Sequence, residues 1–211
     1  MDTVKLKING MEVEAPAGST IIQAANLAGV RIPSLCYLKD LNEIGACRIC
    51  MVEVKGAKGL VASCVYPVNE GMEVFTNTEK VRKARKMTLE LILSNHRMEC
   101  LTCRRSGTCE LQALAQEFGV DQVRFQTPNM KPEIEDSAIH LVRDNSKCVL
   151  CRRCVAACQN QGVGVIGCNE RGFATEIGSP FGRDLVETAC ISCGQCIVNC
   201  PTGALTERDD T

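Results

Sequence analysis

Two stretches near the end of this 211-residue chain carry cysteines at the same spacing. Cys148, Cys151, Cys154 and Cys158 follow C-x2-C-x2-C-x3-C; Cys190, Cys193, Cys196 and Cys200 repeat it, and Pro201 comes next. Runs of thiols two and three residues apart suit several thiolates converging on one centre. The chain has 16 cysteines in all, with 3% aromatic residues and no tryptophan, so a large ring-filled core is not expected. Its 45% hydrophobic content argues against disorder. Small domains of this composition take disulfides or metals as supplements. No charged-then-apolar leader opens "MDTVKLKING", and no apolar run approaches the roughly 20 residues of a membrane helix. The expectation is therefore a cytoplasmic chain, away from the membrane, with reduced thiols. There, dense cysteines mean metal or redox chemistry and not a disulfide scaffold. The formal net charge of −1 gives no electrostatic case for nucleic acid.

The repeated spacing is the pattern of bacterial two-cluster ferredoxins, in which the fourth cysteine of each run serves the other cluster. On that pattern one [4Fe–4S] takes Cys148, Cys151, Cys154 and Cys200, and the other takes Cys190, Cys193, Cys196 and Cys158. Two zinc sites are the competing reading, but zinc prefers separated pairs of cysteines to runs of four. The first run has Gln159 where the second has Pro201. Cys36, Cys47, Cys50 and Cys64 form a further set, with ten, two and thirteen residues between them. Plant-type [2Fe–2S] spacing is C-x4-C-x2-C…C, so the first gap is longer here, but the logic of three loop thiolates and a later fourth is the same. We read a [2Fe–2S] cluster there, with zinc as the alternative. "SNHRMECLTCRRSGTCEL" has only three cysteines, Cys100, Cys103 and Cys109. Its fourth ligand could be a distant cysteine or His96, or the stretch could be a reducible loop without metal.

Alternation on both sides of Asn9-Gly10 predicts a hairpin with a type I′ turn. Thr20 and Gln23 can form a capping box over a short helix that Gly29 ends. "CMVEVKG" and "GLVASC" read as short strands, which gives a small α+β unit over 1–78. From Glu79, "EKVRKARKMTLELILSNH" has helical periodicity, with Val81, Ala84, Thr88, Leu91 and Ile92 as the expected apolar stripe. "CELQALAQEFG" reads as a second helix, which completes a helical segment over 79–120. Residues 121–137 carry two prolines and read as a linker. The duplicated cysteine runs occupy 138–211.

With these motifs in this order, the whole chain resembles the iron–sulfur module of NAD(P)H-linked iron-only hydrogenases. The same module opens the large peripheral subunit of respiratory complex I and the catalytic subunit of NAD-dependent formate dehydrogenases. "SLCYLKDLNEIGACRICMVEV" is similar to that family's [2Fe–2S] loop, and "HRMECLTCRRSGTCELQ" to its H-x3-C-x2-C-x5-C motif. The resemblance implies an α+β fold in three parts: an N-terminal β-grasp [2Fe–2S] ferredoxin-like domain, a short helical [4Fe–4S] segment with one histidine and three cysteines as ligands, and a C-terminal two-cluster ferredoxin-like domain. It also implies that His96, Cys100, Cys103 and Cys109 hold that [4Fe–4S]. The count agrees, since Cys168 is then the one cysteine left over, and we read it as a small buried hydrophobe. The resemblance therefore implies one [2Fe–2S] and three [4Fe–4S] clusters.

"GVGVIG" (162–167) fits G-x-G-x-x-G, with Glu187 twenty residues on, but it lies between two cysteine runs instead of a strand and a helix. We assign no flavin or nucleotide to this chain. "KVRKARK" reads as a solvated basic face or a docking face for an acidic partner. Arg104, Arg105, Arg152 and Arg153 lie between ligand cysteines and suit either solvation or potential tuning. The stretch after Pro201 is too short for an active-site domain, and no catalytic residue is assigned. The expected role is an electron relay beside a flavin- and NAD(P)-binding iron–sulfur subunit, with a small thioredoxin-like [2Fe–2S] subunit as a further candidate partner. Ferredoxin or a catalytic subunit would take or supply electrons at the other end, and electron bifurcation would need a flavin in the partner. The alternatives are the N-terminal segment of an iron-only hydrogenase or formate dehydrogenase large subunit, and a zinc-stabilised scaffold or redox sensor.

Overall fold

The computed structural model describes residues 2–127 and 134–208. Part of the expected linker, 128–133, and the last three residues lie outside that range. The chain divides into two compact units, Met1–Tyr37 with Glu43–Leu89, and Leu38–Asn42 with Glu90–Thr211.

The first unit is built on the expected hairpin. β1 (Thr3–Ile8) and β2 (Met11–Pro16) are antiparallel and meet at Ile8–Met11. Asn9 and Gly10 between them have φ of 52° and 86°, the pair of positive values that a type I′ turn requires. Leu6 and Ile8 of β1 and Val13 and Ala15 of β2 point inward, while Lys5, Lys7, Glu12 and Glu14 stay outside. α1 (Ile21–Leu27) follows, with Ile21, Ile22, Ala24 and Ala25 buried. The Gln23 side-chain oxygen accepts the Thr20 backbone N–H at 2.9 Å, the Gln half of the expected capping box. Gly29 ends the helix at φ 70°. β3 (Met51–Val54), β4 (Val61–Ala62) and β5 (Glu73–Phe75) complete a mixed sheet in the order β2-β1-β5-β3-β4. β5 lies parallel to β1 and antiparallel to β3, so the last strand enters the middle of the sheet. Ile8, Ile21, Val52 and Val74, each 0–2% exposed, fill the core beneath it, each contributing about 1.5–3 kcal/mol by burial.

α2 (Glu79–Leu93) is the expected long helix, but its buried stripe differs from the expected one. The inward positions are Val81, Arg85, Leu89 and Leu93, with Glu90 beside them, whereas Leu91 is 51% exposed. Hydrophobicity alone could not find this face, because two of its members are charged and take their partners from elsewhere. Arg85 Nη2 donates to the Met51 carbonyl at 2.8 Å, and Glu90 accepts from Arg124 Nε at 2.7 Å. One arginine of the basic "KVRKARK" stretch is thus structural. The division between the two units falls within this helix.

The second unit holds α3 (Glu110–Glu117), α4 (Arg153–Asn160) and α5 (Gln195–Val198). β6 (Ile134–Glu135), β7 (Leu141–Asp144) and β10 (Leu205–Glu207) form one small antiparallel sheet, ordered β10-β7-β6. β8 (Gly167–Asn169) and β9 (Glu176–Gly178) form another. Leu141, Val165, Ile166, Ile177, Leu185 and Leu205 make its apolar core, and Cys154, Cys158 and Cys200 are packed into the same cluster. Asp144 joins β7 to the first cysteine run. It accepts the Ser146 backbone N–H at 3.0 Å, pairs with Lys147 Nζ at 2.8 Å and donates its own N–H to the Ala204 carbonyl at 2.8 Å.

Burial pushes the Asp144 carboxyl up, but the Lys147 ammonium and the Ser146 donors outweigh it and hold it below the usual carboxylate range. Its stabilisation is therefore present above the unfolded carboxylate pKa and is lost as pH falls through the lower folded value. Asp144→Ala leaves Lys147 and the Ser146 donors without their shared acceptor. It is expected to cost about 2–4 kcal/mol at neutral pH, measured by denaturant unfolding of the intact chain under anaerobic conditions. A loss under about 0.5 kcal/mol, the range of an ordinary surface change, would contradict that role.

Candidate metal centres

Cys36, Cys47, Cys50 and Cys64 lie in the first unit, and all four are buried at 0–8% exposure. The loop that delivers them turns through left-handed positions at Gly45 (φ 63°) and Arg48 (φ 58°). A side chain on Gly45 would also crowd Val65 at 3.3 Å. The turn aims backbone amides at sulfur: Leu35 N–H reaches Cys47 Sγ at 3.3 Å and Cys47 N–H reaches Cys36 Sγ at 3.5 Å. Cys50 and Cys64 Sγ stand 3.3 Å apart. Hydrogen bonds from Cys47 and Cys64 hold the Cys36 thiol down to about 2, and Cys64 lowers Cys50 to about 6. Cys47 and Cys64 are pushed up by the thiols they serve and by burial. This tetrad shares its protons, and a cationic group with thiolate affinity would displace them.

In the second unit the two cysteine runs have the same backbone. Leu150 and Ser192 have φ of 52° and 53°, and Arg152 and Gly194 have φ of 62° and 71°, at matching places in the two runs. α4 and α5 start immediately after Arg152 and Gly194, also at matching places. Three of the four turning residues are not glycine, so each costs of order 1–3 kcal/mol in backbone strain. Alternating turns of this kind bend the chain so that successive N–H groups face inward, as Leu150 N–H does towards Cys148 Sγ at 3.4 Å.

The cysteines line two cavities. Cys148, Cys151, Cys154 and Cys200 face one, walled by Val149, Ile177, Ala204 and Leu205. Cys190, Cys193, Cys196 and Cys158 face the other, walled by Leu141, Val163, Val165 and Ile166. In each cavity three thiols of one run meet the last thiol of the other. Burial raises Cys148 to about 12, Cys196 to about 11 and Cys154 well above its ordinary value. Thiolates gathered in an apolar pocket need a compensating positive centre. An iron–sulfur cluster would supply that centre, and the donor set and apolar walls fit it. Among the described residues, no group of three or more His, Cys, Asp or Glu side chains forms a site for a single metal ion.

His96 follows α2, its N–H donating to the Leu93 carbonyl at 3.1 Å. His96, Cys100 and Cys109 line a third cavity, with Leu93, Met98, Leu111, Ala115 and Val120 around them. Burial lowers the His96 pKa, which favours the neutral, ligating imidazole. Its Nδ1 is buried with no hydrogen-bond partner among the described residues. Burial raises the Cys109 thiol. Cys103 does not line this cavity. Its Sγ lies against Gly203, where an added Cβ would stand 2.6 Å from it. The loop from Cys200 to Gly203 is the seat of this segment. Glu110 N–H donates to the Pro201 carbonyl at 2.9 Å, Cys109 Sγ lies 3.7 Å from the same oxygen, and Arg105 Nη2 donates to the Cys200 carbonyl at 3.1 Å.

Cys168 departs from expectation, for it is exposed and not a buried hydrophobe. It sits mid-strand in β8, which pairs with β9 alone, so no further strand covers it. The "GVGVIG" stretch runs from just after α4 into the first residue of β8, not through the strand-to-helix turn of a dinucleotide site. Gly162 and Gly164 take φ of 72° and 64°, and Val163 and Gly164 donate to the Cys158 carbonyl. Of the four arginines between cysteines, Arg152 and Arg104 are exposed and Arg105 is half-buried, whereas Arg153 is buried and pairs with Glu110 at 2.6 Å. That long-range pair has no signal in the sequence.

Three family descriptions match the chain in order: a 2Fe-2S iron-sulfur cluster binding domain over residues 1–79, the NADH-ubiquinone oxidoreductase-G iron-sulfur binding region over 85–124, and a 4Fe-4S dicluster domain over 147–205. Among curated relatives, the NADP-reducing hydrogenase subunit HndD of Solidesulfovibrio fructosivorans is 40% identical over 99% of this chain and 37% of its own length. The mitochondrial NADH-ubiquinone oxidoreductase 78 kDa subunit of Candida albicans is 39% identical over 97% of this chain and 28% of its own. The chain thus spans well under half the length of these relatives. A chain of an NAD+-reducing [NiFe]-hydrogenase, crystallised in its H2-reduced state, superposes with a TM-score of 0.92. That chain is 29% identical, and the match covers 98% of this chain and 88% of that one. The chain carries these three iron–sulfur domains in order, and in sequence and fold it is similar to the iron–sulfur modules of NAD(P)-linked hydrogenases and of the 75/78 kDa subunits of complex I.

Proposed function

We propose that the chain is the electron-transfer part of an NAD(P)-linked oxidoreductase, holding one [2Fe–2S] and three [4Fe–4S] clusters. The observation that carries this reading is the grouping of the thiols. Apart from Cys168, they fall into four sets, one buried in the first unit and three at cavities of the second, with Cys103 turned aside from its set. The [2Fe–2S] would be held by Cys36, Cys47, Cys50 and Cys64 on the β-grasp-like sheet of the first unit. The three [4Fe–4S] would be held by His96, Cys100, Cys103 and Cys109, by Cys148, Cys151, Cys154 and Cys200, and by Cys190, Cys193, Cys196 and Cys158. For the first of these three ligand sets, Cys103 must turn from Gly203 towards the cavity that His96 lines. When bound, the clusters supply reversible one-electron carriers, and the protein supplies ligation, insulation and potential.

The partners follow from the same reading: a flavin- and NAD(P)-binding subunit at one end, with a small thioredoxin-like subunit beside it, and ferredoxin or a catalytic subunit at the other. Relatives named for NADP reduction and for NADH-ubiquinone oxidoreduction support an NAD(P)-linked complex. No helix among the described residues is long and apolar enough to cross a membrane, which is compatible with a cytoplasmic complex.

Two outcomes test this. The native complex, purified anaerobically through a tag on this chain, is expected to contain flavin and an NAD(P)-binding subunit in stoichiometric amounts; a complex lacking both contradicts the partner assignment. His96→Ala is expected to lose or convert one cluster and spare the other three, read by EPR of the reduced protein. Four unchanged signals would show that His96 is not a ligand.

A further inference from the structure

Arg153 stands between two candidate ligands, Cys151 and Cys154, and is 6% exposed. It is the first residue of α4. A helix N-terminus favours negative charge, so the helix gains nothing from a cation there. Burying a guanidinium is also costly unless a carboxylate meets it with good geometry. Glu110 does so from a different part of the chain, with Arg153 Nη1 to Oε1 at 2.6 Å and Nη2 to Oε2 at 3.0 Å. Glu110 is itself the first residue of α3, directly after Cys109, and its backbone N–H is bonded to the Pro201 carbonyl beside Cys200.

One two-pronged ion pair is therefore bracketed by Cys109 of one proposed site and by Cys151, Cys154 and Cys200 of another. We propose that Arg153 and Glu110 are positioning residues that jointly set the local charge, and hence the reduction potentials, of the His96–Cys109 site and the Cys148–Cys200 site. This rests on the cluster assignment above and goes beyond it, by assigning a tuning role at both sites to one paired cation and anion.

The sign of the effect is the distinguishing feature. Reduction adds negative charge to a cluster, so a buried cation favours the reduced form and a buried anion opposes it. Arg153→Gln leaves the Glu110 carboxylate alone and is expected to shift at least one midpoint potential downward. Glu110→Gln removes the carboxylate charge beside Arg153 and is expected to shift it upward. Arg153→Lys, which keeps the charge but loses the bidentate contact, is expected to stay near the unsubstituted value. A purely structural pair would move both neutralised variants in the same direction, or neither.

The measurement is an anaerobic potentiometric titration of the full cluster-loaded chain, followed by EPR. Opposite shifts with retained iron content support the proposal. Shifts of the same sign, or none, overturn it. Should Arg153→Gln fail to hold its clusters, Glu110→Gln still decides, because the Glu110 side chain is 44% exposed; an unshifted potential there overturns the proposal. The iron content of the unsubstituted chain separates this result from a failure of the cluster assignment itself.

Discussion

The fold depends on a constraint of charge. Thiols grouped and buried cannot all ionise together, because each thiolate raises the cost of the next and apolar walls add to it. Burial lifts Cys148, Cys154 and Cys196 well above the ordinary thiol range. In the first unit the same conflict splits the tetrad, with Cys36 and Cys50 down and Cys47 and Cys64 up. A positive inorganic centre at each proposed site would resolve it, and ligation would then be coupled to folding.

The backbone around these centres is correspondingly strained. Leu150, Arg152 and Ser192 hold left-handed conformations that cost free energy in isolation, and they recur at matching places in the two runs. A loop wrapped about a shared type of centre would account for the same strain occurring twice. The Cys200–Gly203 loop has a comparable role for the His96 segment, which bonds to the Pro201 and Cys200 carbonyls and presses Cys103 against Gly203.

Local chemistry was legible in the sequence. Asn9-Gly10 specified its hairpin through φ alone, and Gln23 closes on Thr20 as its spacing implied. The spacing of the cysteines also told which of them share a wall, because a C-x2-C-x2-C-x3-C run cannot turn all four thiols to one side. Long-range pairing was not legible. The buried face of α2 contains Arg85 and Glu90, whose partners Met51 and Arg124 lie 34 residues away in each case, so a stripe drawn from hydrophobicity alone included exposed Leu91. Cys168, the one cysteine outside the four sets, is exposed on β8, which among the described residues pairs only with β9. Arg153 is indistinguishable from its three neighbours by sequence, and its burial depends on Glu110, 43 residues earlier.

The central claim is that the four thiol sets hold iron–sulfur clusters and not single zinc ions. Metal and acid-labile sulfide analysis of the anaerobically purified chain tests it most directly. The account predicts about fourteen iron atoms per chain, with sulfide in matching amount and negligible zinc. About four zinc ions per chain, with neither iron nor sulfide, would contradict it.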